Sequence, residues 1–332
     1  MPHASARDRF VQDRRPPRQV PDPGKYVAVV VEDELGDDGR IAPAATVFLI
    51  GRECPWRCVM CDLWQQTTTE DTASGAIPRQ IATARQTLRA RTPPIRVIKL
   101  YNAGSFFDPR AVPEADYDAV AGELAGVSRV IVESHPALVG PRTARLIDAL
   151  ERHTAPDATP PQLEVAMGLE TVHPEALDRL NKRMTVDDFA RAAERLRALG
   201  AAIRVFLLIS PPFVPAADQD GWLLRSVDLA FAHGASAVSL IPVRSGNGAV
   251  EALTESGDFQ PPMLADIERS ARLARARGRV SGRLFVDLWD LARFADCPHC
   301  LEARRARLHN INLRQRNEPP VGCAHCGGST AS

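Results

Sequence analysis

Seven short β-branched or apolar runs, beginning near residues 46, 95, 128, 162, 202, 236 and 283, constrain the fold most strongly. They are Thr46–Ile50, Ile95–Tyr101, Ser128–Glu133, Gln162–Gly168, Ala202–Ile209, Ser236–Pro242 and Arg283–Leu288. Most are separated by segments of helical character, the clearest being Thr185–Leu199. There Thr185 and Asp188 make a capping-box-like start, Phe189, Ala193, Leu196 and Leu199 share one face, and Gly200 stops the helix. Gly234 ends the next unit in the same way. Strands alternating with helices imply a parallel sheet with right-handed crossovers. The pattern predicts an α/β fold, a partial (β/α)6-type TIM-like barrel over residues 46–290. Ligand sites then belong at the carboxyl ends of the strands.

One such end carries three thiols. Cys54-Pro-Trp-Arg-Cys58-Val-Met-Cys61 follows the run Val47-Phe48-Leu49-Ile50 directly. A loop leaving a buried strand can turn all three sulfurs toward one object the size of an iron–sulfur cube. A 4Fe–4S cluster usually takes four thiolates, so three leave one iron open to an outside ligand. A zinc site or an inert buried trio is the plainer alternative. The other four cysteines, Cys297, Cys300, Cys323 and Cys326, form two Cys-x-x-Cys pairs with 22 residues between them. Clustered thiols without an export signal argue for metal binding in a reducing cytosol and against a disulfide scaffold.

Residues 1–45 read as an amino-terminal tail and extension. Met1 to Gly24, rich in Pro, Arg and Asp, predicts a mobile tail and lacks the apolar stretch of a secretory signal. Lys25–Val31 reads as a strand and Glu32–Arg40 as an acidic turn. No run of about 18 apolar residues occurs, so no spanning helix or membrane partner is expected. Lys plus Arg equal Asp plus Glu at 41 each, which gives no global field toward nucleic acid or membrane. Residues 291–332 read as a separate, zinc-ribbon-like module built on four cysteines.

The triad resembles the signature of the radical S-adenosylmethionine superfamily. Further stretches resemble the archaeosine-forming RaSEA group and its bacterial relatives. These are Lys99-Leu-Tyr-Asn-Ala-Gly-Ser-Phe-Phe-Asp108-Pro109, Val132-Glu-Ser134, Met167-Gly-Leu-Glu-Thr171, Leu180-Asn-Lys182 and Leu208-Ile-Ser-Pro-Pro-Phe213. The resemblance implies an enzyme in which Cys54, Cys58 and Cys61 hold a 4Fe–4S cluster and S-adenosylmethionine chelates its fourth iron. Reductive cleavage would give a 5′-deoxyadenosyl radical that abstracts hydrogen from the substrate, with a flavodoxin- or ferredoxin-type electron donor. It also implies a lysine-bearing deazaguanine in transfer RNA as substrate. A small metabolite or peptide, or an inactive zinc-ribbon binding protein, remains the alternative.

Roles follow the same resemblance. Asn102-Ala-Gly104-Ser105 stands where the superfamily binds the cosubstrate amino group, although the usual acidic residue is missing. Met60 replaces the usual aromatic before the third cysteine and would pack against adenine, as would Ile209. Glu170 would accept from ribose hydroxyls, and Lys182 or Arg183 would pair with the cosubstrate carboxylate. Glu133, His135, Arg244, Asn247 and Asp287, at predicted strand ends, are candidates for substrate recognition. Trp289 reads as packing at the module boundary. Cys297, Cys300, Cys323 and Cys326 suit structural zinc, with an auxiliary iron–sulfur cluster as competitor. The arginines between the pairs, Arg304, Arg305, Arg307, Arg314 and Arg316, would grip nucleic-acid phosphates or lie on a solvated helix.

Overall fold

The computed structural model describes residues 4–19, 21–91, 93–102, 104–277 and 282–327. Ala103, in the turn after the second run, and Gly328, closing the second knuckle, lie outside the described residues. Eight strands follow chain order around one sheet. They are β1 (Ala28–Leu35), β2 (Ile41–Phe48), β3 (Val97–Tyr101), β4 (Arg129–Glu133), β5 (Gln162–Glu170), β6 (Ala202–Ile209), β7 (Ala237–Pro242) and β8 (Arg283–Val286). β1 pairs antiparallel with β2, and β2 through β8 are parallel.

Ten helices accompany them among the described residues. They are α1 (Ala4–Gln12), α2 (Ala76–Leu88), α3 (Tyr117–Glu123), α4 (Pro141–Arg152), α5 (Pro174–Arg179), α6 (Val186–Ala198), α7 (Gln219–Ala232), α8 (Ala249–Glu255), α9 (Leu264–Arg275) and α10 (Pro298–Arg314). The capping box of α6 forms as the spacing predicts: Asp188 N–H donates to Thr185 Oγ1 at 3.1 Å and Thr185 N–H to Asp188 Oδ2 at 2.8 Å. Gly200 and Gly234 end α6 and α7 at φ of 71° and 88°, where a side chain would be strained.

Strand alternation separates two interiors. One face of each strand carries apolar residues such as Ile98, Leu100, Val130, Val132, Val165, Ile203, Val205, Val238 and Leu240, all buried in one core with the helices. Each fully buried side chain of this kind contributes about 1.5–3 kcal/mol. The other face lines the lumen and is charged at its amino end. Glu34 of β1 pairs with Lys99 of β3 and, at 2.6 Å, with Arg204 of β6. Glu164 of β5 receives Arg204 and Arg129, both at 2.6 Å. A contact from the first strand to the sixth requires the sheet to curl into a barrel. Arg283 of β8 also donates to the Leu35 carbonyl of β1 at 3.0 Å, so the two edges approach one another.

They approach without pairing, and α10 packs on both. Its amide side chains imitate a missing strand. Gln315, which follows its last turn, accepts from Leu284 N–H at 2.7 Å and donates to Leu284 O at 2.9 Å. Asn312 does the same for Val286, both at 2.8 Å.

The amino terminus differs from the expectation of a mobile tail. α1 forms, and residues 13–19 continue across the barrel mouth. Val11 is 1% exposed and packs with Val59, Leu180 and Leu208. Glu32–Leu35 likewise belong to β1, and the hairpin turn is confined to residues 36–40. The acidic residues read as a turn because their cationic partners lie on distant strands. No helix among the described residues is long and apolar enough to cross a membrane.

Replacing Gln315 by leucine strands the polar groups of Leu284 at the seam. Stability is expected to fall by about 2 kcal/mol, seen as a lower urea midpoint at unchanged m value.

Candidate cofactor site at the barrel mouth

The three cysteines leave β2 on a loop fastened mostly through its own backbone. Val59 N–H donates to Leu180 O at 3.0 Å. Asn247 donates to Val59 O at 2.8 Å and Cys61 O at 3.2 Å, while its Oδ1 accepts from Val250 N–H. Asn181 holds Arg57 O at 2.8 Å. Asn247 thus serves the loop, and Met60 packs on the apolar patch that holds Val59.

Burial pushes all three thiols up, Cys58 to about 12 and Cys61 well above its ordinary value. A charge on Cys54 raises both Cys58 and Cys61, so the three share one electrostatic neighbourhood. As thiols they stay neutral here. A cationic metal centre is what would favour the thiolates.

Beside them Glu170 and Lys182 form a buried ion pair. Burial is the largest influence on Lys182 and opposes its charge, but Glu170 and the neighbouring cysteines together raise the pKa. A Cβ on Gly168 would collide with both Glu170 Oε1 and Lys182 Nζ, so this glycine makes the room they occupy. Glu170 itself has φ of 66°, at a register shift in β5. Arg183 pairs with Asp8 of α1.

Asn102 is 5% exposed, and neither its Oδ1 nor its Nδ2 has a partner among the described residues. Its N–H donates to Glu133 Oε2 at 3.1 Å. A Cβ on Gly104 would lie 2.7 Å from Arg52 O, so the turn is pressed against the start of the cysteine loop. The Ser105 hydroxyl bonds Ser134 Oγ at 3.0 Å and accepts from His135 N–H. Glu133 is raised to about 8, chiefly by burial and further by Glu170, against the pull of Lys182.

His135 stacks on Trp56 of the cysteine loop, 3.7 Å between centroids and 9° from parallel. Its Nδ1 accepts from Ala137 N–H, so Nε2 carries the proton toward Lys182 O at 3.0 Å. Burial and Lys182 lower it to about 3, and the ring is neutral. Across the mouth Arg244 donates to Asp287 Oδ2 at 2.6 Å and to Trp289 O at 2.7 Å. Trp289, 52% exposed, lies 5.7 Å from Phe48. Ile209 is 1% exposed within the outer core, whereas Leu208 faces the patch beneath Val59 and Met60.

At the other metal candidate, Cys297 and Cys300 occupy the cap and first turn of α10. Their sulfurs lie 3.9 Å from Cys323 Sγ and 3.7 Å from Cys326 Sγ respectively, and all four fall within 4.8 Å of one another. His299 and His325 stack at 3.7 Å. Arg304 and Arg307 face inward, bonded to Glu268 of α9 at 2.8 and 3.1 Å. Sequence reasoning gave no role to Glu53, Trp56, Asn181 or Gly168, although the last three lie within stretches singled out above and Glu53 immediately precedes one.

No family model matches the chain. An archaeosine synthase subunit beta from Methanosarcina acetivorans is 28% identical over 240 residues, covering 70% of this chain and 66% of that protein. One from Thermococcus kodakarensis is 26% identical, covering 62% and 63%. The chain therefore spans slightly less than two thirds of these relatives. An N-terminally deleted Elp3 from Methanocaldococcus infernus shares the fold at TM-score 0.50 and 13% identity, over 71% of this chain and 59% of that one. The chain is thus similar to proteins named archaeosine synthase subunit beta, and its fold is the one seen in the Elp3 structure.

Glu133 supplies a pH test. Its pKa is raised from 4.5 to about 8, so the stability held by its proton is full below 4.5 and lost as pH climbs through 8. Glu133→Gln should therefore match wild type below pH 4.5 and become increasingly the more stable protein as pH rises from there to about 8, as followed by thermal unfolding across pH.

Proposed function

We propose that Cys54, Cys58 and Cys61 bind a 4Fe–4S cluster whose open iron takes S-adenosylmethionine, and that the protein acts as a radical enzyme. The observation that carries this reading is three half-buried thiols in one electrostatic neighbourhood, on the loop that leaves β2 next to the β3 end bearing the unpartnered amide of Asn102. The chemical fit is good: a buried amide with both ends free offers a donor and an acceptor to a polar cosubstrate. When bound, the cluster and its cosubstrate supply one-electron cleavage to a 5′-deoxyadenosyl radical, drawing on a flavodoxin- or ferredoxin-type donor.

The chain's own residues bind and shelter. Asn102 and the backbone beside Gly104 receive the cosubstrate's amino group, and Lys182 its carboxylate, leaving Glu170 for ribose hydroxyls. Met60 and Leu208 give the adenine an apolar floor. Glu133 keeps a proton at a wall of the lumen, where it can donate to a bound substrate. The ion-paired amino end of the lumen is filled by side chains, which keeps water from entering below.

A modified base in transfer RNA is the favoured substrate, supported by the names of the relatives. A small metabolite or peptide is the second reading, and one observation favours it: Arg304 and Arg307 are committed to Glu268 and cannot grip phosphates. Comparing nucleosides and metabolites from cells with and without the protein separates the two.

The carboxyl-terminal thiols are assigned to one structural zinc ion. Four sulfurs at about 2.3 Å from a tetrahedral centre lie about 3.8 Å apart, matching the 3.7 and 3.9 Å observed. A cube spreads its thiolates over separate irons and holds them wider apart.

Two variants test these assignments. Cys58→Ala should abolish the visible absorbance of the anaerobically reconstituted cluster and all 5′-deoxyadenosine formation; survival of either refutes the triad. Cys300→Ser should lower bound zinc, by elemental analysis, from one equivalent per chain to well below half. Unchanged zinc, or iron in its place, refutes that site.

A further inference from the structure

The segment from Arg7 to Arg18 has no assigned role, yet nearly every anchor it makes lies on or beside the cysteine loop. Arg7 donates to Asp178 O and Oδ2, both at 2.7 Å. Asp8 accepts from Asn181 at 2.9 Å, and the same Asn181 amide holds Arg57 O. Val11 packs on Val59, which stands between the second and third cysteines. Arg14 O lies so close to Gly248 that a Cβ there would overlap it, which threads the chain between the loop and α8.

The next two arginines converge on one carboxylate. Glu53, immediately before Cys54, is ion-paired with Arg15 at 2.8 Å, with Arg18, and with Arg57 at 3.2 Å. Its side chain is only 8% exposed. Arg18 also donates to Thr67 O at 3.0 Å and Thr67 Oγ1 at 3.1 Å. The Arg15 guanidinium lies 4.4 Å over the Trp64 ring, with Arg18 at 5.6 Å. Three cations meeting one anion leave a positive excess beside the first cysteine.

We propose that this strap is a positioning element for the cluster loop: Arg15 and Arg18, acting through Glu53, hold Cys54 in place and impose a positive field on the metal centre. Cationic surroundings stabilise the form carrying the extra electron, and net charge is one of the levers that set a cluster's potential. The strap thus makes the centre easier to reduce while it fastens the loop. The Glu170–Lys182 and Arg244–Asp287 pairs nearby are internally neutral, and Asp62 beside Cys61 opposes only one unit of the excess.

The inference rests on the cluster reading above, and its test separates the two. The full-length chain is reconstituted anaerobically as wild type, Arg15→Gln/Arg18→Gln, Glu53→Gln and the charge-keeping Arg15→Lys/Arg18→Lys. Midpoint potential, iron release to a chelator and thermal unfolding of the metal-free proteins are measured. The glutamine pair should shift the potential downward and release iron several-fold faster. Glu53→Gln should shift it upward, and the lysine pair should leave it near wild type. Opposite shifts are not produced by a loop that has merely loosened. Equal potentials, or shifts of one sign in both glutamine variants, overturn the proposal. Should the paired variant fail to fold, Arg18→Gln alone must still move the potential downward. A wild-type chain that takes up no cluster refutes the reading of the three cysteines instead.

Discussion

Arg204 sits between two carboxylates, Glu34 reaching it across the lumen from β1 and Glu164 beside it on the neighbouring β5. Burial works against every charge in this group. Arg204 is nonetheless pushed well above its ordinary value, and Glu34 and Glu164 are held below theirs, because each ion answers the others. An apolar lumen could pack equally well, since buried ion pairs seldom add net stability over well-fitted hydrophobic side chains. What the charges add is selectivity of shape. A flat sheet would leave Glu34 facing no partner on β6, and an unmatched buried charge costs several kcal/mol. The curl, and with it the placing of the strand ends around one mouth, depends on this match.

Above that charged floor the cysteine loop has little regular structure, and polar side chains hold its carbonyls. Asn247 and Asn181 reach it from elements that follow it by more than a hundred residues. Gly168 and Gly104 act by subtraction, opening room for an ion pair and for a close backbone approach. The mouth therefore joins loops that no single crossover unit could align by itself.

Much of the fold was legible because parallel strands buried on one face under helices must be apolar, short and bounded. Ala202–Ile209 was read to the residue, and the Thr185 cap was visible in its spacing. The failures share one cause. Arginine, proline and aspartate in the first twenty residues suggest a chain with nothing to bury, and Glu32–Leu35 suggest a turn. Their stabilising partners lie far along the chain: Glu34 meets Arg204 across 170 positions. Composition shows that a charge exists but not whether another charge waits for it. The same blindness covers the site. Asn247 and His135 were visible as polar residues at strand ends, whereas the backbone groups they bond were not.

The helix that closes the sheet also begins at the four-thiol cluster, with Cys297 at its cap and Cys300 in its first turn. An ion held by those thiols, as proposed above, would act at a distance, as a rivet for the seam roughly twenty ångströms along the helix axis, since each residue advances about 1.5 Å. Starving the cell of that ion would let the helix fray from its metal end and bare the last strand. An uncovered strand edge recruits other chains, so loss of such an ion would expose the protein to clumping.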